Sequence, residues 1–166
     1  MDQLHDALNT IYHEMISAFR AGYGCHHVLL RLVEDWRAAL KQGNYVGALL
    51  IDLSKAFDCL PHHLLVAKLK AYGLSNNATT LLSSYLADRY QRVKIGSTYS
   101  TWSKIMKGVP QGSILGPALF NIYLNDIYGV ITNSKLFNFA DHNTLLTTGK
   151  DEKTVQDNLS LDGSNI

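Results

Sequence analysis

Two apolar segments each run into an aspartate: Ala48 to Asp52 reads ALLID and Lys135 to Asp141 reads KLFNFAD, with the loop Gly108-Val109-Pro110-Gln111-Gly112-Ser113 between them. Runs this short, bounded by turn-forming residues, are read as strands rather than helices. An aspartate at a strand end is held on a rigid element while its carboxylate stays outside the core. If the two strands share a sheet, the two carboxylates can meet and offer hard oxygen ligands to a divalent cation. Taken singly, either aspartate is more readily read as a turn residue or a helix cap. The residue after the second aspartate is His142, which sets an imidazole beside the acidic pair.

The chain has 166 residues, of which 46% are hydrophobic, enough for one compact domain and too apolar for a disordered tail. A formal net charge of +1 permits nucleic-acid binding without announcing it. Cys25 and Cys59 are the two cysteines, which excludes a dense disulfide framework and favours a reducing, intracellular setting, nuclear or cytoplasmic and not secreted. The opening MDQLHDALNTIYHEMI lacks the layout of a signal peptide, and no apolar run approaches the roughly 20 residues that span a bilayer, so no membrane association is expected.

Apolar residues at helical spacing predict a helix over His26 to Gln42, closed by Gly43. Tyr45 to Asp52 is so continuously apolar that it reads as a strand buried on both faces. Pro61 can open the next helix, which Gly73 stops, and another is expected from about Asn77 to Arg89. From Arg92 to Met106 the alternation suggests a hairpin or two edge strands. Ile114 to Ile131 reads as helical, with Pro117 tolerated in the first turn. Leu136 to Ala140 and Thr144 to Thr148 flank Asp141-His142-Asn143, expected as the tip of a hairpin.

The stretches ALLIDLSKAFDCLPHHLL, KGVPQGSILGPALFNIYLNDI and LFNFADHNTLL resemble three successive palm motifs of the reverse transcriptases (RNA-directed DNA polymerases) of non-LTR retrotransposons, of the jockey-like kind. The middle stretch is the most specific, and SAFRAGYGCHHVLLRLVEDW resembles the segment that precedes the palm. The resemblance implies an α+β fold: a palm with an antiparallel sheet backed by helices, a fingers remnant, and no thumb. It places fingers-side helices over about 1–44, the palm over about 45–150 and a truncated polar tail over 151–166. A basic fingers segment, a thumb and an endonuclease are not recognised in the chain, which is therefore expected to be a fragment of a mobile element.

Carried over residue by residue, the resemblance implies that Asp52 and Asp141 are the catalytic, metal-holding aspartates and that the Leu53 backbone carbonyl assists one metal. Two Mg²⁺ ions, or Mn²⁺, are the implied cofactors, with an RNA template, a DNA primer and dNTP as partners. The primer 3′-OH would attack the dNTP α-phosphate and pyrophosphate would leave. Phe57 matches the bulky residue that rejects a ribose 2′-OH, although an aromatic beside Ala56 is also read as core. Gln111 and Gly112 match the loop that approaches the nascent base pair; the plain alternative is a Pro-Gly turn. Asp58 is expected to cap the turn before Pro61. His142 stands at the substituted catalytic position, where the family pattern carries a second aspartate. Losing one charge and gaining a nitrogen should weaken Mg²⁺ binding, so activity is expected to be weak or absent.

Arg89, Arg92, Lys94, Lys104 and Lys107 are candidate nucleic-acid contacts, with a solvated face as the alternative. A zinc site from Cys25-His26 or Cys59 with His62 and His63 lacks the tight ligand spacing such sites use. The second functional class consistent with the residues is a catalytically silent palm-like module that binds nucleic acid or protein.

Overall fold

A computed structural model describes residues 8–166 of the chain. The reading of the N-terminus as lacking a signal sequence falls, for positions 1–7, outside the described residues. In chain order the elements are α1 (Cys25–Lys41), β1 (Tyr45–Asp52), a 3₁₀ turn (Ala56–Asp58), α2 (His62–Ala71), α3 (Asn76–Leu86), β2 (Tyr90–Gln91), β3 (Lys94–Ile95), β4 (Thr98–Tyr99), β5 (Ser103–Lys104), α4 (Leu115–Leu124), a second 3₁₀ turn (Asn125–Gly129), β6 (Lys135–Phe139), β7 (His142–Gly149) and α5 (Glu152–Ser164). The fold is mixed α+β with antiparallel strand pairing. Where composition suggests one domain, the chain divides into two compact units: Lys55–Tyr123, and the described residues that run up to Ser54 and resume at Leu124.

The discontinuous unit is built on a three-stranded sheet in the order β1-β7-β6. Side chains alternate between its faces. Gly47 and Leu49 lie on the face that α5 covers: a Cβ at Gly47 would collide with Val155 and Leu159, and one at Gly163 would meet Leu49 Cδ2 at 2.8 Å. Lys135, on the other face, pairs with Asp35 of α1 at 3.0 Å. Leu136, Phe137, Leu145, Leu146 and Val155 are buried, and Ile16 of the N-terminal segment bridges Asn138 in parallel along the β6 edge.

The reading of β1 as buried on both faces is corrected. β1 has a hydrogen-bonded neighbour on one side, and Tyr45, Leu49 and Leu50 are exposed, Leu50 at 77%. Its continuous apolar run marks a strand but does not report how much of it is covered. Helix α1 ends as Gly43 implies. Gly43, at φ +71°, donates its N–H to Leu40 O while Asn44 donates to Ala39 O, the paired bonds of a Schellman closure. The polar tail forms a helix, α5, because Asp151 caps it by accepting from Thr154 N and only a narrow stripe, including Val155 and Leu159, meets the sheet.

In the Lys55–Tyr123 unit, α2 starts one residue after Pro61 and stops at Gly73, φ +87°. Helix α3 is capped by the Ser75 hydroxyl, which accepts from Ala78 N, and ends at Leu86, short of the expected Arg89, because Asp88 turns left-handed at φ +51°. The Arg92–Met106 region is a nested pair of ladders: β3 with β4 around Gly96, and β2 with β5. Helix α4 is shorter than the periodicity predicts, ending at Leu124, after which the chain tightens into the 3₁₀ turn. Leu60, Leu65, Leu69, Leu86, Leu119 and Phe120 form the buried interior of this unit.

Asp162 is a buried charge on α5, with 0% of its surface exposed. It accepts from the backbone N–H of Thr132 at 3.1 Å and of Asn133 at 2.9 Å, which ties α5 to the loop before β6. Burial pushes the carboxyl up, but the hydrogen bonds from Ser134, Thr132 and Asn133 outweigh it and hold the group below the ordinary 3.8. A carboxylate lowered on folding stabilises the folded state above its unfolded pKa and loses that contribution as pH falls through the folded value. Asp162→Ala is expected to destabilise the fold by about 2 kcal/mol at neutral pH, because it removes a buried carboxylate that two part-buried backbone N–H groups donate to. The difference in thermal midpoint should shrink as pH drops below the aspartate range; a pH-independent difference would remove the carboxylate from the account.

Candidate functional site

The β1–β7 register sets Asp52 directly opposite His142. Directly opposed residues of antiparallel strands project to the same face, and His142 Nδ1 lies 3.3 Å from Asp52 Oδ1. Both side chains are open to solvent, at 72% and 73%, so water screens whatever attraction the pair has. Asp141 occupies the turn between β6 and β7: Phe139 pairs with His142, which leaves Ala140 and Asp141 as the connecting residues. One ligand atom from each of Asp52, Asp141 and His142 lies within 4.8 Å of the others, and among the described residues this is the one group of that kind. The cysteine and histidine positions weighed for zinc form no such group there, and Cys25 and Cys59 are free.

The turn is held by polar groups that the motifs and their spacing do not single out. Asn138 and Asn143, each 2% exposed, face one another across β6 and β7. Asn138 Nδ2 donates to Ala140 O at 2.7 Å and to Asn143 Oδ1 at 2.8 Å, while Asn143 Nδ2 donates to Asp141 O at 3.1 Å. Leu53 N–H also donates to Asp141 O, at 3.1 Å, so the end of β1 is pinned to the backbone of the second aspartate. Ala140 takes φ +56°, a conformation that a non-glycine residue holds only when its surroundings enforce it. The expected tip at Asp141-His142-Asn143 is shifted by one residue: His142 and Asn143 already belong to β7. A paired asparagine at the end of each strand is the signal that was available in the sequence.

The donors fit a divalent cation through two carboxylates, but the third donor is a nitrogen. An all-oxygen, near-octahedral Mg²⁺ shell is not what this set provides.

The other expected site residues lie in the Lys55–Tyr123 unit. Phe57 stacks on Phe120 with centroids 4.4 Å apart and accepts Val109 N–H at its carbonyl, so its ring has a packing partner as well as a place beside the loop. Gly108 N–H donates to Leu60 O, and His62 contacts Gly108 O at 2.7 Å. A Cβ at Gly108 would lie 2.6 Å from Asp58 O, and φ is +85°, so close approach is required there. At Gly112 the space is open, and glycine is favoured by φ +72° alone. Gln111 donates to Asp58 Oδ1 at 3.1 Å; Asp58 therefore braces the loop, in place of the expected cap before Pro61.

The five basic residues separate into two groups. Arg89, Lys104 and Lys107, joined by Lys55, line a groove of about 780 Å³ that Gln111 and Asp58 also border. Lys104 is held by Asp88 at 2.9 Å, and that hydrogen bond raises its pKa. Arg92 instead lies over the rings of Tyr99, 3.9 Å, and Trp102, 4.6 Å, with Lys94 5.5 Å from Tyr99. Trp102 is 61% exposed, so this cation–aromatic cluster is a surface feature.

No helix of the described residues is long and apolar enough to cross a membrane. The chain is 38% identical over 130 residues to the probable RNA-directed DNA polymerase from transposon X-element of Drosophila melanogaster, covering 74% of this chain and 14% of that protein. To the RNA-directed DNA polymerase from mobile element jockey of Drosophila funebris it is 31% identical over 137 residues, 82% of this chain and 14% of the relative. It thus spans about a seventh of the length of these relatives. A solved structure of apo telomerase from Candida tropicalis, truncated from its C-terminal domain, superposes with a TM-score of 0.65 at 16% identity, covering 96% of this chain and 36% of that one. At that identity the likeness speaks for the fold. Residues 1–161 match the family described as reverse transcriptase (RNA-dependent DNA polymerase), and the chain belongs to that family.

Proposed function

We propose that the chain is palm and fingers-side sequence of an RNA-directed DNA polymerase of a jockey-like non-LTR retrotransposon, built for nucleotidyl transfer to a primer 3′-OH on an RNA template and weakened in that reaction by His142. The observation that carries the reading is the convergence of Asp52 and Asp141, from stretches far apart in the sequence, through one strand register. Asp52 and Asp141 are the groups that would hold a divalent cation, Mg²⁺ or Mn²⁺ in the family pattern, with the Leu53 carbonyl assisting. Such a cation, when bound, would neutralise charge on the attacking and leaving oxygens. Phe57, backed by Phe120, supplies a ring bulky enough to exclude a 2′-OH. Gln111, braced by Asp58, positions the nucleotide or template, and Gly112 lets backbone come close to it.

Arg89 and Lys107 on the groove, and Arg92 with its aromatic neighbours, suit a phosphate backbone and stacked bases. The same surface supports the second reading, a palm-like module that binds nucleic acid without turnover, and the imidazole at position 142 favours it.

Primer extension on an RNA template with Mg²⁺ separates the two. The His142→Asp variant is expected to exceed the parent chain by at least about tenfold, the scale of restoring one charged ligand. Equal activity of the two would discard the role given to the histidine, and activity unaffected by Asp141→Asn would discard the reaction centre itself.

Salt titration of binding to an RNA–DNA duplex tests the basic surface. Replacing Arg89, Arg92 and Lys107 by alanine together should lower the slope of log K against log salt by roughly two to three, about one for each phosphate that these side chains neutralise. An unchanged slope would assign these residues to a solvated face.

A further inference from the structure

The geometry points to a mixed oxygen–nitrogen site at Asp52, Asp141 and His142 that takes a nitrogen-accepting first-row dication of the Zn²⁺ or Co²⁺ class in preference to Mg²⁺. The inference rests on the reading that these carboxylates are the polymerase pair, and it changes which ion they hold.

Three features support it. The first is donor type: each of the three residues offers one ligand atom, all within 4.8 Å, and one of them is an imidazole nitrogen. Mg²⁺ seeks oxygen and gives up its water reluctantly, whereas imidazole suits Zn²⁺ and its neighbours in the first row. The second is spacing. Two donors about 2.0–2.1 Å from one ion are about 3.3–3.4 Å apart at a tetrahedral angle and about 2.9 Å apart at an octahedral one. The Asp52 Oδ1 to His142 Nδ1 separation is 3.3 Å, the tetrahedral value. The third is access and support. The imidazole is 72% exposed, which leaves room for water to complete the shell. The backbones of Asp141 and His142 are fixed by Asn138, Asn143 and the β1 register, so closing the 4.8 Å spread needs side-chain rotation only.

The test uses the chain alone with the metals themselves. Calorimetric titration should give Zn²⁺ and Co²⁺ affinities at least tenfold above that for Mg²⁺, and bound Co²⁺ should show the intense visible absorption of a tetrahedral site. His142→Ala and Asp52→Asn should each weaken Zn²⁺ at least tenfold, as loss of one ligand does. His142→Asp should abolish the cobalt absorption and narrow the Zn²⁺-to-Mg²⁺ ratio by at least tenfold. Because His142 is exposed, its variants should melt like the parent, which separates a missing ligand from a disrupted fold. Cys59→Ser should leave Zn²⁺ affinity unchanged. Equal affinities for Zn²⁺ and Mg²⁺, or Zn²⁺ binding that survives His142→Ala, would overturn the proposal. The two readings fail separately. Zn²⁺ binding by the parent with no primer extension from His142→Asp would sink the polymerase reading, while extension restored in that variant without Zn²⁺ binding by the parent would sink this one.

Discussion

Everything chemical in the discontinuous unit depends on the register of one antiparallel ladder. With Asp52 opposite His142 and Ile51 opposite Asn143, the acidic side chain and the imidazole share one face. A slip of a single residue would send Asp52 to the opposite face, the one on which β6 and β7 place Leu136 and Leu145, where a carboxylate has no partner. Several independent interactions set that register. Gly47 must face α5 because any side chain there would strike Val155 and Leu159, and Asn143 must reach Asn138 and the Asp141 carbonyl. The apolar packing chooses the face, and the asparagine pair chooses the exact residue at which the turn begins. Positive φ at Ala140 is the local cost of making that turn so tight.

The Lys55–Tyr123 unit solves a different problem, which is how to hold a glycine-rich loop still without burying it. Phe57 and Leu60 offer backbone carbonyls to Val109 and Gly108, Pro61 bridges Lys107, and Gln111 is drawn to Asp58. The loop therefore carries regular pairing along its first half while Gly112 remains in open space. A loop restrained in this way can present polar groups at fixed positions without a hydrophobic anchor of its own. Gly108 is the residue that admits the arrangement, since its backbone presses on that of Asp58.

How far the sequence reveals this differs from element to element. Strand β1 was legible because an uninterrupted apolar run of that length has few other conformations, yet the same run overstated its burial: hydrophobicity records what a segment tolerates, and Leu50 remains 77% exposed. The ends of α1 and α2 were legible because Gly43 and Gly73 supply left-handed closures that other residues resist. Helix α5 was hidden because its inward stripe runs through Val155, Leu159 and a buried Asp162, and a carboxylate in the stripe erases the periodic signal. The hairpin was found but displaced, since an alanine at positive φ is enforced by partners distant from any turn rule. At the site, Asp52, Asp141 and His142 come together, whereas the bracing contacts of Asn138, Asn143 and Asp58 are not legible, although Asn143 and Asp58 read as turn residues, because their partners are set by the folded pairing.

The division between what aims the site and what fills it explains how a histidine can occupy position 142. The atoms that fix the backbone there belong to Asn138, Asn143, Leu53 and the β1 ladder, while the imidazole side chain is 72% exposed. Exchanging an aspartate for histidine at such a place changes charge and donor type while leaving the strand pairing, the turn and the buried amides as they were. Surface substitutions away from packed or paired groups shift stability by about 0.5 kcal/mol or less. Folding therefore places almost no constraint on this side chain, and only chemistry does. Asp162 shows the contrary case, where a carboxylate is fixed by the backbone donors around it and a neutral replacement would leave them unpaired. A scaffold that aims a donor without depending on its identity allows one fold to present an oxygen-only site or a mixed one. Which ion the chain holds is then decided by a single exposed atom, Nδ1 of His142, at 3.3 Å from the carboxylate it faces.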